Sequence, residues 1–423
     1  MILYFYKVKD HDLPITIYII KREQFMKLII LFVLLIQLSQ GSTLTLKTLL
    51  ASVDNNNVLT QAIDAERLHL KARNLADTAS DPMDLYGTGT RAYPDFGESD
   101  YEYSVGLSKT LPWGNTQEKD QTIIRLNNEA YFLEEGKKIL NFKNGLKNLY
   151  HQYCLDYKNY KSVKENYQDF AVLYKKKQKA YKYKEISKSE LMQLELSKNR
   201  LFAELQEMKM IQKRSKHKLF ILSGMKHTDK TVLSCRDMYP IRENVKLKEH
   251  TFQLTRQAHQ KRLQSTQVAL ERHSKALDSI TLSAQYDQEI DIDRYSIGVS
   301  IPLSFTSKKS EQERAAAMHQ NSTLDFQYEQ TMIEKKSILL ELRSTLKGNA
   351  LMIKSLKKNL NDYSKNLLPL IKKSYDLGES SVIEYLLNRQ NYNQMKQELF
   401  STQKAYYHTL FRLYTLSEMK DNE

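Results

Sequence analysis

Residues Tyr103–Pro112 read YSVGLSKTLP and residues Tyr295–Phe305 read YSIGVSIPLSF, a shared YS-aliphatic-G-aliphatic-S core whose copies lie 192 positions apart. A second pair keeps nearly the same offset: Tyr181–Leu191 reads YKYKEISKSEL and Tyr375–Tyr385 reads YDLGESSVIEY, 194 positions apart. One match could be chance. Two in the same order and register indicate an internal duplication. The predicted unit is helix, strand pair, very long helix, tip, helix, once in residues 42–239 and again in residues 240–423.

The strands are read from their period. Tyr101, Tyr103, Val105 and Leu107 alternate with Glu102, Ser104, Gly106 and Ser108. In the second copy Ile280, Leu282, Ala284 and Tyr286 alternate with polar residues, and Tyr295, Ile297, Val299, Ile301 and Leu303 alternate with Ser296, Gly298, Ser300, Pro302 and Ser304. Period two with one apolar face predicts half-buried strands. The opposite face is small and polar rather than charged, which suits a barrel wall with lipid outside and water inside. A soluble hairpin packed on a helix fits the alternation equally well. Strands are expected over about 82–93, 100–110, 278–287 and 293–305; the first is placed by symmetry because Met83–Tyr93 is weakly patterned.

After each strand pair comes a helical run, Asn115–Ala180 and Lys308–Ser374, each roughly 100 Å long at the α-helical rise. Ile139, Phe142, Leu146, Leu149, Tyr153, Tyr160, Val163, Tyr167, Phe170 and Tyr174 follow a 3-4 alternation, as do Ile353, Leu356, Leu360, Tyr363, Leu367 and Leu370. That spacing is the seam of a left-handed coiled coil. Lys at the remaining positions reads most simply as a solvated face. Only 12 Gly and seven Pro in 423 residues agree with a few very long helices.

The remaining composition mainly excludes. Two Cys rule out a disulfide scaffold or a four-thiolate zinc site, and whether Cys154 and Cys235 pair is left open by their spacing. A net charge of +14 comes from 64 Lys+Arg against 50 Asp+Glu spread along the chain, with no compact basic module, so no nucleic-acid partner is expected. No HExxH, GxSxG or GxxxxGK occurs; Gly87-Thr88-Gly89 is a turn rather than a dinucleotide loop, and neither enzyme activity nor a cofactor is expected. The acidic run Asp287, Glu289, Asp291 and Asp293 reads as a solvated hairpin loop.

At the amino terminus, Lys21, Arg22 and Lys27 precede an unbroken apolar run Leu28–Ile36, and Ser39 and Gly41 provide small residues at a cleavage point after Gly41. Residues 26–41 therefore read as an export leader, while residues 1–25 fit no element and Met26 is the better translation start. No run of 18 apolar residues is present to form a spanning helix.

The leader, the duplicated unit, YSVGLSKTLPWGN and SYDLGESSVIEYLLNRQ together resemble the TolC-like outer-membrane efflux protein family, over nearly all of residues 42–417. The tip Tyr375–Gln390 is similar to that family's G-Y-x-x-G-x-x-x-x-x-D-x-L-x-A-Q signature, with Ser374 where Gly is usual and Asn388 where Ala is usual. The resemblance implies a mainly α protein with a membrane β-barrel: a homotrimer whose four strands per chain make a twelve-stranded barrel in outer-membrane lipid, above a periplasmic coiled-coil tunnel. It also implies a periplasmic adaptor and a resistance-nodulation-division or ABC-type inner-membrane pump as partners. The Leu111-Pro112-Trp113-Gly114 turn and Pro369 look more like heavy-metal-efflux members than multidrug ones. On this reading Tyr101, Tyr103, Val105, Leu107, Tyr295, Ile297, Val299 and Ile301 face lipid.

The two tips are the candidate site. Glu190 and Glu384 occupy equivalent positions in the duplicated tip, and by resemblance they match acids lining the family's periplasmic constriction, with Ser189, Tyr375 and Ser380 beside them. A carboxylate ring in a narrow wet neck would favour cations. The competing reading is two surface carboxylates at helix starts, where they favour the helix dipole. The basic residue usual in the family at Ser380 and the second acid usual at Leu387 are both absent, which implies a differently tied aperture. Gly378 is expected to make a turn that Lys184 cannot mimic as easily, and Pro369 is expected to bend its helix.

Overall fold

The computed structural model describes residues 44–419 except 57, 94–95, 97–98, 227–230, 247–250, 276 and 304–307. The expected leader at 26–41 and the segment 1–25 lie outside the described residues, as do Ser304 and Phe305. The first half runs α1 (Leu46–Asn56), α2 (Val58–Asp77), β1 (Asp84–Ala92), β2 (Asp100–Pro112), α3 (Thr116–Lys182) and α4 (Lys188–Ser223). The second runs α5 (Gln253–Arg272), β3 (Ser279–Gln288), β4 (Asp293–Ser300), α6 (Lys309–Asp362), a π-helical turn (Tyr363–Leu367), α7 (Leu368–Asp376) and α8 (Val382–Leu416). The 67 residues of α3 make a rod of roughly 100 Å. Among the described residues no helix is long and apolar enough to cross a membrane.

The strands form one antiparallel sheet in the order β1-β2-β3-β4. Residues directly opposite one another share a face, so the register decides which side chains line up. Val105 pairs with Gly87 on one side and Tyr286 on the other; Tyr286 pairs with Tyr295; Leu107 pairs with Leu85 and with Ala284, which pairs with Ile297. One face is therefore largely apolar along β2, β3 and β4 and reaches Leu85 on β1, and it is exposed: Tyr295 and Ile297 at 80% and 90%. The other face is hydroxyl-rich, with Thr88 to Ser104 at 2.6 Å and Thr110 to Thr281 at 2.9 Å. A Cβ at Gly106 would lie 2.3 Å from the Tyr86 ring, so a larger residue there would displace that ring. Tyr86 crosses it to donate to Gln285 Oε1 at 3.1 Å. The ladder stops at Ser300, before Pro302, which has no N–H to donate; Ile301 is exposed but sits just outside the strand, short of the expected limit at 305.

The expected seam on α3 is kept. Leu146, Tyr153, Val163, Phe170 and Tyr174 are buried and the other predicted positions are half-buried. The seam on α6 holds through Ile353, Leu356 and Leu360 and then changes register. Leu367 and Leu370, expected in the seam, are 41% and 64% exposed; Leu368, Ile371 and buried Tyr375 take over. The π turn is the cause. Leu368 N–H bonds Tyr363 O, one residue further back than in an α-helix, which rotates the following side chains by about 100°. Pro369 explains its position, since a proline ring collides with the carbonyl four residues earlier and removes a donor. The expected bend at Pro369 is thus realised as a register shift.

Midway along α3 lies a junction of both halves. Cys154 and Cys235 form a disulfide with Cα atoms 5.6 Å apart, settling the question their spacing left open. It ties the connector between the halves to α3, beside α1 residues Leu46, Leu49 and Val53 and α4 residues Leu219 and Phe220. Buried His151 packs against Tyr239, Tyr407 and Phe411. Its Nε2 accepts the Tyr239 backbone N–H at 2.8 Å, which leaves Nδ1 to donate to Lys147 O at 2.7 Å. The neutral ring is fixed in one tautomer. Glu418 closes the carboxyl end: its carboxylate accepts from the Thr255 N–H at 3.1 Å and from Lys335 at 3.0 Å, capping the start of α5, whose own N-cap residue Phe252 supplies no side-chain acceptor.

Candidate functional site

The two helical tips, α3–α4 and α7–α8, are built alike at the level of single hydrogen bonds. Lys184 N–H bonds Tyr181 O and Glu185 N–H bonds Ala180 O; Gly378 N–H bonds Tyr375 O and Glu379 N–H bonds Ser374 O. Each is the paired closure that ends a helix on a left-handed residue. Gly378 takes φ 76° and Lys184 takes φ 62°, so the lysine adopts the turn that glycine was expected to make more easily. The next helices start alike too. Ser187 and Ser381 are N-caps with ψ 156°, and their hydroxyls accept from Glu190 N at 3.0 Å and Glu384 N at 3.1 Å. Both acids occupy the third helical position of a Ser-x-x-Glu start, where a carboxylate is also favoured by the dipole.

The two acids then differ. Glu190 is half-buried and its Oε1 accepts the Tyr375 hydroxyl at 2.7 Å, joining α4 to α7. Burial first, and then the Glu190 carboxylate, push the Tyr375 phenol far above its ordinary range, so it remains a donor. Tyr375 is buried in a cluster with Phe170, Leu194, Val382 and Tyr385; it stacks on Tyr385 with ring centres 4.7 Å apart, and Lys177 Nζ lies over the ring, 4.0 Å from its centre. Glu384 is exposed, and among the described residues no hydrogen bond engages its carboxylate. Ser189 is exposed. Ser380 is half-buried, and its Oγ is an enclosed polar atom with no hydrogen-bond partner among the described residues. The structure thus brings Glu190 and Tyr375 together and leaves Glu384 and Ser189 facing solvent in the single chain.

Sequence reading missed Arg389. Its guanidinium reaches Tyr385 Oη at 2.9 Å and also Asn166 Oδ1, and it lies 5.3 Å over Phe170, clamping α8 to α3. Asn388, noted only as a departure from a signature, accepts the Tyr363 hydroxyl at 2.9 Å and so anchors the π turn. Spacing gave no sign of either, because both contacts cross between helices distant in sequence. Above the tip, α4 and α8 both rest on α3 but leave a groove of about 590 Å³ between them, bordered by Arg200, Glu204, Glu207 and Arg389. Glu204 is drawn toward its neutral form by burial, against the Gln397 amide that donates to it at 3.2 Å.

Comparison with solved structures decides the fold. The Campylobacter jejuni CmeC outer membrane channel superimposes with a TM-score of 0.68 at 16% identity, covering 89% of this chain and 87% of that one. The open-state Neisseria gonorrhoeae MtrE outer membrane channel gives 0.67 at 13% identity, with 89% of each chain covered. This is the outer-membrane efflux-channel fold. CusC, described with its transmembrane channel formation, shares the efflux-channel fold at a TM-score of 0.70 and 15% identity, covering 88% of this chain and 91% of its own. No family model matches the sequence, and no curated protein matches it either. At such identities the efflux-channel fold is carried by pattern rather than by residue identity.

Proposed function

We propose that this chain is the outer-membrane exit duct of a tripartite efflux system in a Gram-negative cell. Three copies close their four-stranded sheets into one twelve-stranded barrel, and their helices into a periplasmic tunnel. Residues 42–239 and 240–423 are the two repeats of the duct. It makes and breaks no bond; an inner-membrane pump of the resistance-nodulation-division or ABC type supplies the energy, and a periplasmic adaptor joins pump to tip. The cargo class is metal cations or drugs.

One observation carries this reading. An exposed, largely apolar face runs in register through β2, β3 and β4 and reaches Leu85 on β1, its opposite face is polar, and among the described residues the sheet ends in two unpaired edges. Exposed apolar area of that kind needs lipid, and in lipid every edge must be paired, which closure into a barrel achieves. Tyr101, Tyr103, Val105, Leu107, Tyr295, Ile297, Val299 and Ile301 are assigned to the lipid face. Glu190, Glu384, Ser189, Tyr375 and Ser380 are assigned to the periplasmic constriction. The similarity of fold to channel proteins supports a non-enzymatic role.

The purified protein is expected to insert into planar bilayers as a heat-sensitive trimer and to pass cations in preference to anions. Recovery as a soluble monomer without conductance would reject the duct. The outer-membrane component of a type I protein secretion system is the second reading, since the same fold would serve a folded or unfolded polypeptide as cargo. A periplasmic coiled-coil adaptor, the third, leaves the in-register apolar sheet without a purpose.

A further inference from the structure

Among the described residues Tyr86 is the one aromatic side chain on the polar face of the sheet; Tyr101, Tyr103, Tyr286 and Tyr295 all lie on the apolar face. Its row across the strands runs Tyr86, Gly106, Gln285 and Ser296. The phenol lies along that row, over Gly106, and its hydroxyl donates to Gln285 Oε1 on β3 at 3.1 Å. Gln285 Nε2 donates in turn to Asp287 Oδ1 at 2.5 Å, which fixes the amide with its oxygen toward Tyr86. The ring is laid against the wall rather than raised from it: Tyr86 is 37% exposed, against 80% for Tyr295 on the other face.

Gly106 makes the room for it. The residue sits in a paired stretch of β2 and takes no left-handed φ, so backbone freedom is not its role. A glycine inside a strand weakens it and marks the close approach of another group. A Cβ there would lie 2.3 to 2.7 Å from three atoms at the far end of the Tyr86 side chain. The second copy of the motif repeats the arrangement on a smaller scale: Gly298 of YSIGVS pairs with Ser283, whose Oγ would lie 2.6 Å from a Cβ. In each copy the glycine shelters an oxygen-bearing side chain of the preceding strand, and in the first that side chain is long enough to reach a third strand. Barrel size gives this weight. About eight strands enclose just enough room for side chains, and roughly sixteen leave an open channel. A twelve-stranded wall falls between, where one large inward side chain from each chain takes a sizeable share of the passage.

We propose that Tyr86 sets the size limit for passage through the barrel, with Gly106 as the berth that keeps its ring against the wall and Gln285 as the latch that holds it there. The inference rests on the duct reading and adds the side chain that discriminates cargo by bulk. Three such rings, one from each chain, stand at one level of the barrel. Berthed, they leave the passage to the hydroxyl and amide groups around them; raised, they narrow it from three sides.

The test raises the ring and then removes it. Gly106→Ala meets only the mobile end of the Tyr86 side chain, so its trimer is expected to assemble and to melt within a few degrees of the parent. Purified trimers are held in planar bilayers, and polyethylene glycols of graded size are added to each side in turn. From the barrel side, Gly106→Ala is expected to cut entry of mid-sized polymer roughly twofold or more, with entry from the tip side unchanged. Gln285→Leu, which frees the ring but keeps the berth, should give part of that loss. Tyr86→Ala should admit at least as much polymer as the parent, and adding Gly106→Ala to it should change nothing further. Identical entry in all variants, or a Gly106→Ala loss that persists without the phenol, overturns the proposal. Where Gly106→Ala does not assemble, Gln285→Leu with and without Tyr86→Ala makes the same comparison. Pores indifferent to residue 86 end only this inference, whereas no pores from the unmodified trimer end the duct reading and this inference with it.

Discussion

The Tyr375 hydroxyl donates to Glu190 Oε1 at 2.7 Å, and this bond joins the last helical turn before one tip to the first turn after the other. A hydrogen bond to a charged group is worth about 1.5–3 kcal/mol, so this single bond resists separation of α4 from α7. Tyr375→Phe keeps the ring stacked on Tyr385 and removes only the donor. The expected result is a larger or more frequently open conductance in planar bilayers, with trimer melting lowered by no more than a few degrees. Glu190→Gln keeps an acceptor without the charge and should recover about half of the constraint. Identical conductance in all three proteins would remove this bond from the aperture.

His151 gives a pH dependence with a definite sign. Burial lowers its pKa to about 4, against the Lys147 carbonyl that favours the charged form. Between pH 6.5 and about 4 the unfolded chain binds a proton that the folded one refuses, so stability should fall as pH drops through that window and level off below it. The full loss is of order 3 kcal/mol. Thermal melts across this range are expected to slope for the parent and to flatten for His151→Gln. A slope unchanged by the substitution would assign the pH dependence to other groups.

The Cys154–Cys235 disulfide closes a segment of 81 residues and pins the connector to the middle of α3. Loop-closure entropy places its stabilisation at roughly 4–5 kcal/mol. Cys154→Ala with Cys235→Ala should lower the melting temperature, and a reducing agent should lower it in the parent alone. A reductant effect of equal size on both proteins would mean that the bond is not what the reagent acts on.

The lipid face predicts an asymmetry between adjacent residues on β4. Ile297→Lys places a charge on the apolar face and should cost about 2–4 kcal/mol if that face meets the bilayer core, depleting the protein from the outer-membrane fraction. Ser296→Lys, one residue away on the polar face, should assemble with altered ion selectivity. Equal tolerance of both would place the sheet in water.

The strands, the long rods and the paired tips were legible because each rests on a local pattern: period two at Tyr103–Leu107, the 3-4 seam at Leu146–Tyr174, the matching segments Tyr181–Leu191 and Tyr375–Tyr385. What escaped was non-local or conformational. The seam at Leu367 and Leu370 failed because a π turn inserts one residue into the period, a decision made jointly by Pro369 and by Asn388 reaching across from another helix. Lys184 in a left-handed turn contradicted propensity, and the Tyr375–Glu190 bond joins residues 185 apart in sequence, which no spacing rule links. The first strand could be placed only by symmetry, since Gly87 and Gly89, read as a turn, lie within β1 and interrupt its apolar face, and Tyr86 belongs to the polar side.

Imaging the purified, detergent-held particle tests the central claim most directly. The account predicts a threefold hollow cylinder in which a short barrel of twelve strands continues into a helical tube of roughly 100 Å. A compact monomer, or a particle whose four-stranded sheet is covered by protein rather than by detergent, would contradict it.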